Sequence, residues 1–176
     1  DIKSCTQNII KELNPQIPTF IELNLNIQAD LPFIHTDPIT YERAIKNLIQ
    51  NAWESIEDTG HIDISIFHEP ETVIPKEAIG ENIDGQSAIC VTIKDNGKGI
   101  PVSISSKIIE PFFSTKRDGR GLGLAIVLSL VQQSKGAMHY RSEKGATIFQ
   151  LWFPVQPVQK ESIQTEVLLE KNILIL

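Results

Sequence analysis

Cysteine is nearly absent from this chain: of 176 residues only Cys5 and Cys90 carry a thiol, far apart and in no metal-ligand or redox spacing. A reducing cytoplasm is the simplest setting for such usage, with Cys90 expected to fill a strand position. Basic residues are also in deficit. Sixteen lysines and arginines stand against 22 acids, a formal net charge of −6, and an acidic balance argues against nucleic acid or an anionic membrane as partner. No apolar run approaches the roughly 20 residues of a membrane span, and no signal-peptide pattern opens the chain. Internal repeats and low-complexity tracts are missing too. What remains is ordinary globular composition, 41% hydrophobic and 22% charged. The length suits one domain with tails and is too short for a multi-domain machine.

Periodicity supplies the elements. Ile9, Ile10 and Leu13 predict a short helix over Ser4–Leu13, stopped near Pro15, and the alternation of Ile21, Leu23, Leu25 and Ile27 with polar residues predicts a half-buried strand. Asp37-Pro38 is a helix start, a capping carboxylate followed by proline at the first helical position. The helix it opens puts Ile45, Leu48, Ile49, Ala52 and Ile56 on one face, and Gly60 is expected to end it. Further strands are expected around Ile62–Ile66, Ile89–Ile93, Ala137–Arg141 and Thr147–Phe153, with a buried helix over Leu122–Gln133. The stretch 68–86 reads as a long exposed connection. Strands outnumber crossover helices, which predicts a mixed sheet covered on one face by helices and argues against a doubly wound dinucleotide-binding fold.

Four polar or glycine-rich clusters interrupt this scaffold. Asn47 and Asn51 lie four apart, on one helix face away from the apolar stripe. Amide oxygens suit Mg²⁺, which takes its other ligands from water and phosphates, but two solvent-facing asparagines would give the same pattern. Asp95-Asn-Gly97-Lys-Gly99-Ile100 follows a strand. Its glycines allow close backbone approach and its carboxylate could accept from an exocyclic amine such as adenine's, while a bare Asp-Asn-Gly turn is the alternative. Glu110-Pro-Phe112-Phe113-Ser-Thr-Lys116 runs into Gly119-Arg120-Gly121-Leu122-Gly123-Leu124. Here a loop opening a helix offers backbone N–H groups and a positive dipole end to phosphate, and Lys116, Arg117 and Arg120 concentrate positive charge. The glycine pattern is neither a dinucleotide fingerprint nor a P-loop. Gly145-Ala-Thr147 leads into the last strand.

In this order the four clusters resemble the N, G1, F and G2 boxes and the last glycine box of sensor histidine kinases, over about residues 17–154. That family belongs to the superfamily of gyrase, Hsp90, bacterial histidine kinases and MutL. The resemblance implies a two-layer α/β sandwich, with a mixed, mostly antiparallel five-stranded sheet and three helices on one face. Residues 1–16 would lead into the ATP-binding domain, and residues 155–176 would be linker. The final Lys171-Asn-Ile-Leu-Ile-Leu176 is similar to the first strand of a receiver domain, and equally to an arbitrary apolar end.

The resemblance also implies roles. Asp95 would bind the adenine amine, with Thr147 helping through a water. Asn51 would ligate Mg²⁺ and Asn47 would contact phosphate or the metal shell. Gly97, Gly99 and Ile100 would shape the nucleotide turn, and Phe112 and Phe113 would anchor the base of a lid, simple packing being the alternative. Lys116, Gly119 and the backbone of Gly121, Leu122, Gly123 and Leu124 would hold the phosphates. The implied partners are a dimerisation domain carrying the phosphoacceptor histidine and a response-regulator receiver domain, the isolated domain being monomeric.

Residue 47 separates branches of this superfamily. Gyrase- and Hsp90-type ATPases use a glutamate there to activate water; here it is an amide, and Glu42 lies roughly 140° away around the helix. That favours phosphoryl transfer to an intrinsically nucleophilic imidazole over hydrolysis. Two departures from the family pattern stand out. Glu54 and Ser55 occupy positions where many sensor kinases carry a basic residue, and Arg120 replaces the common threonine of Gly-Thr-Gly. None of His35, His61, His68 and His139 lies in an amphipathic helical hairpin, so the chain is expected to bind ATP·Mg²⁺ without phosphorylating itself. A degenerate nucleotide sensor and an anti-sigma-type serine kinase are the alternative readings. Intact boxes argue against the first and Glu-Pro-Phe-Phe against the second.

Overall fold

Asp1 opens the first helix, α1 (Ile2–Leu13), its Oδ1 accepting from the N–H groups of Lys3 at 2.9 Å and Ser4 at 3.4 Å. The helix therefore begins two residues before the expected Ser4. Pro15 falls in a 3-10 turn, Asn14–Gln16, that stops it. The computed structural model describes residues 1–115, 121–143 and 145–155. After β1 (Ile21–Ile27), Asp37 caps α2 (Pro38–Ser55) by accepting from Thr40 N at 2.7 Å. α2 ends at Ser55 and not at Gly60. Ile56 is already extended, and Gly60 instead begins β2 (Gly60–Glu69), its N–H donating to Phe20 O at 3.1 Å. Then follow β3 (Ile79–Gly80), β4 (Ala88–Asp95), α3 (Val102–Ser105), α4 (Gly123–Gln133), β5 (Ala137–Glu143) and β6 (Ala146–Pro154).

The sheet is mixed and mostly antiparallel, in the order β1-β2-β4-β6-β5-β3, with β1–β2 its parallel pair. It has six strands, one more than expected. The addition is β3, from the stretch read as an exposed connection. Ile83 in that stretch is 2% exposed and packs with Ala88, Cys90, Ala137 and Trp152, with Ile74 and Ala78 alongside. The segment thus roofs one end of the sheet's second face, and its prolines and glycines hid a hydrophobic spacing too irregular to show a period.

On the first face, Ile62, Ile64 and Ile66 of β2, Ile89, Val91 and Ile93 of β4 and Phe149, Leu151 and Phe153 of β6 meet α1, α2 and α4. Burial of each such side chain is worth about 1.5–3 kcal/mol. Tyr41 of α2 is fully buried, and its hydroxyl lies 2.7 Å from Thr6 Oγ1, tying α1 to α2. α4 is less enclosed than its composition predicts. Val127, Leu130 and Val131 are buried, whereas Leu124, Ile126 and Leu128 are half-buried at its margins. Among the described residues no helix is long and apolar enough to cross a membrane.

Candidate functional site

The site forms where β4 ends and the chain turns beneath the C-terminus of α2. Asp95, the last residue of β4, is 4% exposed. Its Oδ1 accepts from Gly97 N at 2.9 Å and from Ser55 Oγ at 3.0 Å. Burial pushes its carboxyl above the ordinary carboxylate range, against the opposing pull of those two donors and of His61. No donor to Oδ2 is found among the described residues, which leaves one oxygen of a largely buried carboxylate open to a ligand.

Gly97 is required by closeness. A Cβ there would stand 1.8 Å from Ser55 Oγ and 2.8 Å from both the Cβ and the carbonyl carbon of Ser55. Lys98 N donates to Ser55 O at 3.0 Å, so the turn is stitched to the helix end, while Lys98 Nζ faces outward to Glu57. Gly99 has φ +76°, and a Cβ would meet Glu143 O at 2.5 Å. Ile100 N then donates to Ser142 Oγ at 2.7 Å, and Ser142 Oγ lies 3.1 Å from Thr147 Oγ1. Thr147, 4% exposed, is the cross-strand partner of Asp95. The second and fourth clusters therefore meet through Ser142.

The first and third clusters meet at the start of α4. Asn47 Nδ2 donates to Arg43 O at 2.8 Å, and its Oδ1 faces Gly123, where a Cβ would approach to 2.9 Å. Asn51 lies one turn further along the same helix face and is half-buried. Leu122, the N-cap of α4, supplies no side-chain cap, and first-turn N–H groups of this kind are suited to an anion. Gly121 (φ +66°) packs against the Phe112 and Phe113 carbonyl groups, and Phe112 N donates to Gly121 O at 2.9 Å. Phe112 is 78% exposed with φ +69° and Phe113 is half-buried, so neither phenylalanine is a core side chain. Lys116, Gly119 and Arg120, and the receiver-like end of the chain, lie outside the described residues.

Glu42 is engaged elsewhere, accepting from Lys46 Nζ at 2.7 Å, and Lys46 also reaches Glu12 at 2.6 Å. Glu54 accepts from Gln50 Nε2 at 2.7 Å. Ser55 and Ser142 were not anticipated as site residues. Ser55 had a visible signal, since 47, 51 and 55 continue one four-residue spacing. Ser142 had none, because its role depends on a hairpin register.

Residues 36–157 match the family described as histidine kinase-, DNA gyrase B- and HSP90-like ATPase. The chain is 31% identical over 156 residues to sporulation kinase A of Bacillus subtilis, covering 82% of this chain and 23% of that protein. It is 33% identical over 142 residues to the sensor histidine kinase ZraS of Salmonella typhi, covering 80% of this chain and 27% of the relative. It thus spans about a quarter of these relatives. The catalytic domain of histidine kinase ThkA shares the fold, with TM-score 0.70, 21% identity and coverage of 89% of this chain and 95% of that one. ThkA has also been seen in complex with the response regulator protein TrrA.

Proposed function

From a chain that belongs to the histidine kinase-, DNA gyrase B- and HSP90-like ATPase family, we propose a catalytic domain that binds ATP with Mg²⁺ and presents the γ-phosphoryl group to a histidine on a separate dimerisation domain. The observation that carries the adenine reading is the Asp95 carboxylate, buried, with Oδ1 engaged by Gly97 and Ser55 and Oδ2 open. An open carboxylate oxygen in a desolvated site is an acceptor for the exocyclic amine of adenine. The start of α4, which has no side-chain cap from Leu122, would receive phosphate oxygens through the backbone of Leu122, Gly123 and Leu124, with Lys116 and Gly119 from the preceding sequence.

The donor set also suits Mg²⁺. Asn47 Oδ1 faces the start of α4 and Asn51 lies one turn further along the same helix face, a sparse set of amide oxygens that suits an ion taking its other ligands from water and phosphates. Asn51 would supply one ligand. Asn47 would reach phosphate or a metal-bound water with Oδ1, since Nδ2 is held on Arg43 O. Bound Mg²⁺ neutralises the charge that develops on the phosphates. Position 47 is an amide and Glu42 is paired with Lys46, so neither residue serves as a water-activating base. That favours transfer to a nucleophile brought by a partner.

His61 and His68 lie on β2, His139 on β5 and His35 in the loop before α2. None sits on a helix, which supports an acceptor on another domain, from which the phosphoryl group would pass to a receiver domain. Calorimetric titration tests the nucleotide site. Asp95→Asn must place its amide nitrogen at the Oδ2 position, because Oδ1 faces two donors, so donor would meet donor. The expected loss of ATP affinity is about 100-fold, and unchanged affinity would refute the adenine role. Stable phosphohistidine on the chain after incubation with ATP and Mg²⁺ would refute the separate acceptor.

A further inference from the structure

The end of α2 has a relation to the nucleotide turn that none of the four clusters accounts for. Ser55 is the last helical residue, four beyond Asn51, and its Oγ lies 2.8 Å from Ala52 O and 3.0 Å from Asp95 Oδ1. One hydroxyl carries one proton. Facing a neutral carbonyl and an ionised carboxylate, it goes to the charge, where the hydrogen bond is about twice as strong. Gly97 N reaches the same Oδ1 at 2.9 Å. Two donors from different elements thus converge on one oxygen of a group whose terminal torsion is otherwise soft.

Both donors are themselves fixed. Ser55 O holds Lys98 N at 3.0 Å, and Gly97 lies so close to Ser55 that a Cβ could not be inserted. The carboxylate plane is therefore locked to the helix that carries Asn47 and Asn51. Rotation about the Cβ–Cγ bond would break one of the two bonds, so Oδ2 can point in only one direction.

We propose that Ser55 is a positioning residue for base selection: its hydroxyl, together with Gly97 N–H, aims the free Asp95 oxygen at the exocyclic amine of a 6-aminopurine. The proposal rests on the reading of Asp95 as the adenine acceptor. It sets the energetic role of Ser55 at one place on the ligand. Loss of the hydroxyl weakens recognition of the amine and leaves contacts to ribose and phosphates untouched.

The test compares ATP with purine riboside 5′-triphosphate, which lacks the 6-amine, on the unsubstituted chain and on Ser55→Ala, with Mg²⁺ in both and the thermal midpoint recorded for each protein. The unsubstituted chain should bind ATP at least about tenfold more tightly than the analogue. Ser55→Ala should weaken ATP by about five- to tenfold while the analogue changes by less than about twofold. If Ser55→Ala does not fold, Ser55→Cys, which keeps the side-chain shape but is a poor donor, should give the same selective loss. Equal weakening of both nucleotides would mean that Ser55 only supports the helix end, and no change in either would mean that the hydroxyl is idle; each result overturns the proposal. Equal affinity of the unsubstituted chain for both nucleotides is a different failure. It removes the adenine reading of Asp95, and the proposal with it.

Discussion

At the scale of single residues, Asp95 shows a site held at the expense of the fold. Burial raises its carboxyl in the folded chain, whereas the unfolded chain leaves it at the ordinary value. The sign follows from proton counts. Above the folded value both states are ionised and the buried charge is destabilising. As pH falls through that value the folded state takes up a proton first, so the penalty shrinks, and it is gone below the unfolded value. Asp95→Asn should therefore make the ligand-free domain more stable than the parent near pH 7, with the advantage narrowing as the solution is acidified. Urea unfolding of both proteins across that range checks this. A stability advantage that does not narrow on acidification would show that the carboxylate's ionisation is not the cause. On the proposed adenine role, the same residue would trade stability for binding.

At the scale of elements, the legible parts were those whose cause is local. Asp37-Pro38 and the isoleucine alternations gave α2, β1, β2 and β4 because caps and period-two burial act over a few residues. The Asp95 turn is marked by two glycines beside a strand-end acid, and the fold accounts for both glycines by their close approach to Ser55 and Glu143. What escaped notice depends on distant partners. β3 exists only because Ile79 and Gly80 find Met138 and Ala137, and Ser142 matters only because the β5–β6 register sets it beside Thr147 and Ile100. Tyr41 was hidden likewise, on a polar-looking helix turn. Its hydroxyl donates to Thr6 Oγ1, which in turn donates to Ile2 O at 2.9 Å. Tyr41→Phe should cost about 1 kcal/mol in denaturant unfolding while ATP affinity stays unchanged. A change in affinity would show that the α1–α2 seam reaches the site.

At the scale of the whole molecule, the sheet is covered on both faces by different means. Helices take one face, and the segment containing Ile74, Ala78 and Ile83 takes one end of the other. Beneath that segment Cys90 is fully buried, and burial pushes its thiol up to about 12. At pH 7.5 the thiolate needed for alkylation is therefore scarce as well as inaccessible. Iodoacetamide should leave Cys90 untouched in the folded chain and should label it only along the global unfolding transition in urea, as peptide mass analysis can follow. Labelling at urea concentrations well below that transition would show that the segment opens independently of the core.

The strand order sets a timetable for synthesis. β4, which ends in Asp95, is flanked by β2 and by β6, and β6 is the last strand among the described residues. At typical elongation rates Asp95 emerges roughly 3–10 s before Thr147, its cross-strand neighbour. Throughout that interval the growing polypeptide carries the Asp95 carboxylate and both helix asparagines but lacks the hairpin that anchors Ile100. A nascent chain stalled before β6 should thus be unable to retain nucleotide, and ATP should stabilise the domain only after β6 is in place.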